Sequence, residues 1–99
     1  MSVVDTVHQS LSELVAGMMG EACGRPAPRP HSSFFALGGT EPEAADLTRM
    51  VNALFALDLP ADAIMRSPTP DALARTIETA WDGTASDLIA LIGAIADAD

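Results

Sequence analysis

The chain has 99 residues, which favours a single domain and leaves little room for a deep active site. Hydrophobic residues make up 48% of the chain and aromatic residues only 4%, so aliphatic side chains must build the core. The formal net charge is −9, and all five cations are arginines. Because nucleic-acid binding needs a basic surface, this charge balance argues against a nucleic-acid partner.

The cysteine count and the apolar runs bear on the compartment. The single cysteine, Cys23, excludes an internal disulfide and fits a reducing cytoplasm. No metal-ligand spacing surrounds it, so we predict a small structural residue and no metal site. The N-terminus lacks the pattern of a signal peptide, and LIALIGAIA near the C-terminus is too short to span a bilayer. We therefore expect a soluble, cytoplasmic protein with no membrane partner.

The first predicted element is a helix over about residues 3–20, ending near Gly20. His8 lies between two positions of its apolar stripe and is predicted to be a surface residue. The segment at 24–33, GRPAPRPHSS, contains three prolines and a glycine, which predicts a long loop. The stripe has the three- and four-residue spacing of an amphipathic helix and consists of Val4, Val7, Leu11, Leu14 and Met18.

The stretch SFFALGG follows that loop and predicts a tight turn held against the bundle. Phe34, Phe35 and Leu37 are expected to anchor the loop through their apolar side chains. Gly38 and Gly39 permit the backbone angles that a tight turn requires.

A second helix is predicted to begin directly after this turn and to end near Ala56. Thr40 has the position of an N-cap, and Glu43, three residues later, completes a capping box. Pro42 lies in the first turn, where its missing N–H does no harm. The expected buried face comprises Ala44, Leu47, Val51, Leu54 and Phe55.

The remaining segments also predict helices. A short helix is expected around residues 61–65, and a longer one capped by Thr69 should turn Leu73, Ile77 and Trp81 inward. Thr84 or Ser86 is expected to cap a last helix. Its apolar residues are Leu88, Ile89, Leu91, Ile92 and Ile95. Since no stretch alternates like a strand, the predicted fold class is all-α.

Residues 31–77, HSSFFALGGTEPEAADLTRMVNALFALDLPADAIMRSPTPDALARTI, resemble the thiolation (peptidyl/acyl carrier protein) domains of nonribosomal peptide and polyketide assembly lines. Two motifs carry the resemblance: FFALGGTE at 34–41, and the stretch from Leu59-Pro60 through SPTPDALARTI at 67–77. The resemblance implies an acyl-carrier-protein-like four-helix bundle over residues 1–83. Residues 84–99 would add a C-terminal amphipathic helix that packs on the bundle or on a partner.

In that family the serine after LGGx carries a phosphopantetheine arm, and the matching residue here is Glu41. A carboxylate cannot accept this arm, so we expect no cofactor at Glu41. Thr40, Ser32 and Ser33 offer hydroxyls nearby, but Thr40 should be occupied by capping and the serines lie on the wrong side. Glu41 either imitates the phosphate of a loaded arm or is an ordinary, favourable first-turn residue.

Without that serine, the resemblance implies a non-catalytic module of natural-product biosynthesis that docks non-covalently on assembly-line enzymes. No nucleophile–base pair suggests an enzyme, and the chain would be a monomer or a dimer through its last helix. The alternative is a working carrier whose serine was replaced by Glu41 through engineering. The predicted docking residues are Gly38, Gly39, Thr40, Pro42, Ala45, Arg49, Ile64 and Met65, with a core position left open for Ile64 and Met65.

Overall fold

The computed structural model describes residues 3–97, which form five helices and, within that range, no strand. The helices are α1 (Val3–Cys23), α2 (Glu41–Phe55), α3 (Ala63–Arg66), α4 (Pro70–Ala80) and α5 (Ala85–Ala96). This confirms the all-α prediction. Residues 1, 2, 98 and 99 lie outside the described part; they stand at the outer ends of the predicted units 1–83 and 84–99. The side chain of Val4, a member of the predicted apolar stripe, also lies outside it.

Helix α1 continues beyond Gly20, where the sequence predicted its end, and stops at Cys23. A Cβ on Gly20 would lie 2.7 Å from the carbonyl oxygen of Arg25, so this glycine allows the following loop to approach. The residue that ends the helix is Gly24, whose φ of +67° lies in the left-handed region. The Arg25 amide then donates to the Gly20 carbonyl at 2.8 Å, which satisfies one of the terminal carbonyls.

The other helices begin at the predicted caps. The hydroxyls of Thr40, Thr69 and Thr84 accept hydrogen bonds from backbone amides in the first turns of α2, α4 and α5. Thr84, rather than Ser86, therefore caps α5. Helix α2 ends one residue before the predicted Ala56, which adopts a left-handed conformation with φ 54°.

The core lies between α1 and the other four helices. Helix α1 packs against α4, α5 and α2, and α2 also packs against α3. Helix α5 therefore lies on the bundle through Leu88 and Ile92, whereas Ile89 remains 40% exposed. The largest fully buried side chains are Phe34, Phe55, Leu11, Met19, Leu47, Ile64, Leu73, Ile77, Val15, Val51 and Pro70. The division of the chain at residue 84 stays a prediction.

The loop between α1 and α2 is held by two backbone hydrogen bonds to the segment at the start of α4. The Phe34 amide donates to the Pro68 carbonyl at 2.7 Å, and the Asp71 amide donates to the Pro30 carbonyl at 3.0 Å. These two bonds fix the proline-rich loop against the start of α4. The turn before α2 consequently has a defined position. Within residues 3–97, no helix combines the length and apolar character needed to cross a membrane.

Candidate functional site

Two adjacent glycines shape the turn before α2, for different reasons. Gly38 has a φ of +98°, which side chains with a Cβ rarely adopt. Gly39 lies against the ring of Phe34, where a Cβ would lie only 2.4 Å from Cε2. The Gly38 amide donates to the Phe35 carbonyl and the Gly39 amide to the Phe34 carbonyl, both at 3.1 Å. The turn therefore depends on both residues lacking a side chain.

The aromatic pair anchors this turn as the sequence predicted. Phe34 is fully buried, and Phe35 stacks edge-on against it with ring centroids 5.4 Å apart. Phe35 and Leu37 are half-buried, and Phe35 packs against the core. The rigid position of Phe34 in turn fixes the backbone of Gly39.

The start of α2 is a complete capping box. The Thr40 hydroxyl accepts from the Glu43 amide at 3.3 Å and lies 3.1 Å from Glu43 Oε1, to which it donates. The Thr40 amide donates to the same carboxylate at 2.9 Å. Glu41 is exposed in the first turn, where a negative charge is favourable beside the unpaired amides. The predicted occupation of the Thr40 hydroxyl is confirmed.

Cys23 lies at the same end of the bundle as the turn. Burial, together with the nearby charge of Glu43, raises the pKa of its thiol, and Arg25 opposes this only in part. The raised pKa favours the protonated thiol at neutral pH, which fits the structural role predicted for this half-buried residue.

The predicted docking residues divide by exposure. Met65 is 46% exposed, and Arg49 forms an ion pair with Asp46 on the outer side of α2. Ile64 is fully buried, so of its two predicted places the core is correct and the docking surface is wrong. Its side chain fills the core where α3 packs on α2. The exposed members of the set are Gly38, Thr40, Pro42, Arg49 and Met65, and the half-buried ones are Gly39 and Ala45.

The structure also exposes an apolar residue that the sequence reasoning missed. Met50, on α2, is 50% exposed and lines a groove of about 510 Å³ between α1, α2 and the end of α5. Leu14, Leu54 and Ile95 lie in the same groove. The spacing gave no sign of this exposure, because Met50 lies three residues after Leu47 and four before Leu54, at the edge of the predicted stripe.

His8, predicted to be a surface residue rather than a ligand, has 23% of its side chain exposed and also bridges two helices. Its Nε2 lies 2.5 Å from Asp71 Oδ1 and its Nδ1 lies 2.6 Å from Glu78 Oε2, so the ring joins α1 to α4. Ionised carboxylates can only accept, so both contacts are hydrogen bonds when His8 is protonated and both ring nitrogens donate. The hydrogen bonds to Glu78 and Asp71 raise the pKa of His8. The hydrogen bond from His8 lowers the pKa of Asp71. Arg75 adds a bond to Asp71 at 3.3 Å.

A comparison with known proteins shows the family to which the chain belongs. The family model described as the phosphopantetheine attachment site matches residues 13–77. The chain belongs to this carrier-protein family. A solved structure, of BlmI, a type-II acyl-carrier-protein from Streptomyces verticillus involved in bleomycin biosynthesis, has a TM-score of 0.70 and 25% identity. That match covers 76% of this chain and 90% of the other, and it confirms the acyl-carrier-protein fold. A comparison with curated proteins finds no match.

Family membership corrects one expectation. The sequence reasoning predicted no cofactor, but the family and the acyl-carrier-protein likeness indicate a phosphopantetheine prosthetic group, so that prediction is wrong. The residues at the turn do not offer the usual attachment chemistry. Glu41 has no hydroxyl with which to form a phosphodiester, and the Thr40 hydroxyl is occupied by the capping box. Ser33 accepts from the Phe35 amide at 3.2 Å, and Ser32 is half-buried. That Glu41 stands at the attachment position stays a prediction.

Proposed function

We propose that this carrier-family protein acts in natural-product biosynthesis by docking on assembly-line enzymes through the turn before α2 and the outer side of α2. Glu41 stands, on this proposal, where the family's attachment serine would be, and the contact itself is non-covalent. One observation carries the proposal: two glycines that must lack a side chain and a complete capping box define the turn before α2, although residue 41 has no hydroxyl. The context of biosynthesis follows from the likeness to BlmI.

The chemistry of this surface suits a protein partner. Gly38 and Thr40 are exposed, and Arg49 and Met65 add a charge and a flexible apolar side chain nearby. Asp46 pairs with Arg49 on an exposed surface, where such a pair contributes little to stability. Both residues can therefore exchange this local pair for contacts with an enzyme.

A phosphopantetheinyl transferase is a suitable probe, because it must contact the carrier surface before it transfers an arm. After treatment with the transferase and coenzyme A, we expect the Glu41→Ser variant to carry one phosphopantetheine arm more than the original chain does. Intact mass measures this difference. Peptide mapping should place the new arm at residue 41. A variant that folds but gains no arm there would show that residue 41 is not the attachment position.

The docking surface is tested in the Glu41→Ser background. We expect Arg49→Glu with Met65→Asp to slow loading about tenfold, because rim charges and apolar contacts control encounter and residence. The matched control is Arg75→Glu with Ile89→Asp. Arg75 has 72% side-chain exposure against 73% for Arg49, and Ile89 is 40% exposed against 46% for Met65. Equal loading of both double variants would place the docking surface elsewhere.

The alternative function is a working carrier whose serine was replaced by glutamate through engineering. The intact turn favours it, since a serine at position 41 would be exposed in the first turn of α2. Loading of Glu41→Ser is expected under both hypotheses. The codon at position 41 in the source gene separates them: a glutamate codon there contradicts the engineering alternative.

A further inference from the structure

A second surface lies at the other end of α2. A cleft of about 470 Å³ opens between the C-terminal ends of α2 and α4, lined by residues 55–59 and 80–83. Helix α2 has 15 residues, so about 21 Å of helix, at about 1.5 Å per residue, separates this cleft from the turn at Gly38–Thr40. The cleft is therefore distinct from the turn, and none of its lining residues belongs to the predicted docking set.

The wall of the cleft is held in place by contacts within the protein. The Trp81 indole nitrogen donates to the Thr84 carbonyl at 3.0 Å. The ring packs edge-on against Phe55, with centroids 6.4 Å apart and an interplanar angle of 88°. A Cβ on Gly83 would lie 2.9 Å from the indole nitrogen, so the backbone covers that side closely. Because the indole is already ordered, binding against it costs little conformational entropy.

The rim of the cleft is acidic. Asp58 and Asp82 both line it and both are exposed. Among the described residues, neither carboxylate forms an ion pair, since the three arginine pairs lie elsewhere: Arg49–Asp46, Arg66–Asp62 and Arg75–Asp71. In a chain with a formal net charge of −9, the rim therefore has a negative potential that favours a cationic group.

We propose that this cleft binds a segment of a partner protein in which an arginine is flanked by aliphatic residues. The guanidinium would meet Asp58 and Asp82, and the apolar groups beside it would lie on Trp81 and Leu59. Arginine suits such a site because its planar cation pairs with carboxylates and also stacks on aromatic surfaces. This assigns the chain a second protein contact that does not depend on the surface around α2's first turn.

The probe is the acetylated and amidated peptide Leu-Arg-Leu-Arg-Leu, titrated into the full chain. Trp81 is the only tryptophan and the chain has no tyrosine, so its fluorescence reports on the cleft directly. We expect a saturable change that weakens with added salt. Asp58→Asn with Asp82→Asn should weaken binding about fivefold, which corresponds to the loss of two partly exposed ion pairs. Glu13→Gln with Glu21→Gln, which removes the same charge from α1, should leave binding unchanged.

Several results would overturn the proposal. The first is that the peptide causes no saturable change in Trp81 fluorescence. The second is that a peptide with glutamates in place of the arginines binds equally well. The third is that the folded Asp58→Asn, Asp82→Asn variant binds the peptide with unchanged affinity. Equally tight binding of free argininamide would indicate a small-cation site instead. Dimerisation that this variant abolishes, seen by sedimentation equilibrium, would indicate a second copy of the chain. The pair Arg49→Glu, Met65→Asp should leave peptide binding intact, which separates this test from that of the proposed function.

Discussion

His8 provides the sharpest test of how α1 and α4 are held together. Replacing it by glutamine removes the cation that lies between Asp71 and Glu78, at 2.5 and 2.6 Å, and leaves the two carboxylates facing each other. A hydrogen bond to a charged group contributes about 1.5–3 kcal/mol, but these side chains are 22–23% exposed, which reduces the value. We expect His8→Gln to lower the free energy of unfolding by about 1–2 kcal/mol in mild acid.

The pH dependence of this effect follows from the two pKa shifts. The pKa of His8 is raised above its ordinary 6.5, so its contribution is complete below 6.5 and is lost as pH rises through the folded-state value. The pKa of Asp71 is lowered below its ordinary 3.8, so its contribution is complete above 3.8 and is lost as pH falls through the folded-state value. The His8 bridge should therefore stabilise most between pH 3.8 and 6.5.

Thermal unfolding followed by circular dichroism at about pH 5.5 and about pH 9 measures this difference. In mild acid, His8→Gln should lower the Tm by about 4–16 °C, since about 1 kcal/mol corresponds to about 4–8 °C in a domain of this size. The difference should shrink at the higher pH. His31→Gln, which removes the other, exposed histidine, is the matched control. An equal loss of Tm at both pH values would refute the imidazolium bridge.

The remaining predictions concern local backbone geometry and are measured by urea denaturation of each variant. Gly39→Ala should lower the free energy of unfolding by about 1–3 kcal/mol, because its Cβ would meet the ring of Phe34 at 2.4 Å; an unchanged midpoint would contradict this contact. Thr40→Ala should cost about 1 kcal/mol through loss of the N-cap, whereas Thr40→Ser should retain most of it. Ala56→Gly should stabilise by about 0.5–1 kcal/mol, because glycine tolerates the left-handed φ of 54° without strain; destabilisation would contradict that account.

The sequence predicted features that depend on neighbours in the chain. The capping box at Thr40 and the glycine turn were predicted because their signals lie within a few residues. The end of α1 was predicted at Gly20, but this glycine lies within the helix and allows the following loop to pack closely against it. No local sequence pattern distinguishes such a glycine from one that ends a helix. The place of Ile64 was left open between docking surface and core because the four-residue α3 is too short to show a helical period.

The His8 bridge and the cleft beside Trp81 lie beyond sequence reasoning for a different reason. The partners of His8 are 63 and 70 residues away in the chain, so only the packing of α1 on α4 brings them together. Likewise, the residues of the cleft come from two separate loops. Their local sequences predicted an inward Trp81 but gave no indication that Asp58 and Asp82 share one rim.

The two bonds that tie the proline-rich loop to the start of α4 have a consequence for how the protein opens. The Phe34 amide donates to Pro68 and the Asp71 amide donates to Pro30. The loop therefore cannot separate from the start of α4 while either hydrogen bond is intact. In native-state hydrogen exchange, the amides of Phe34 and Asp71 should therefore exchange in one cooperative event rather than by separate fraying. The surface loop next to the turn thus belongs to the same folding unit as α4, and the turn cannot change its orientation without loosening that helix.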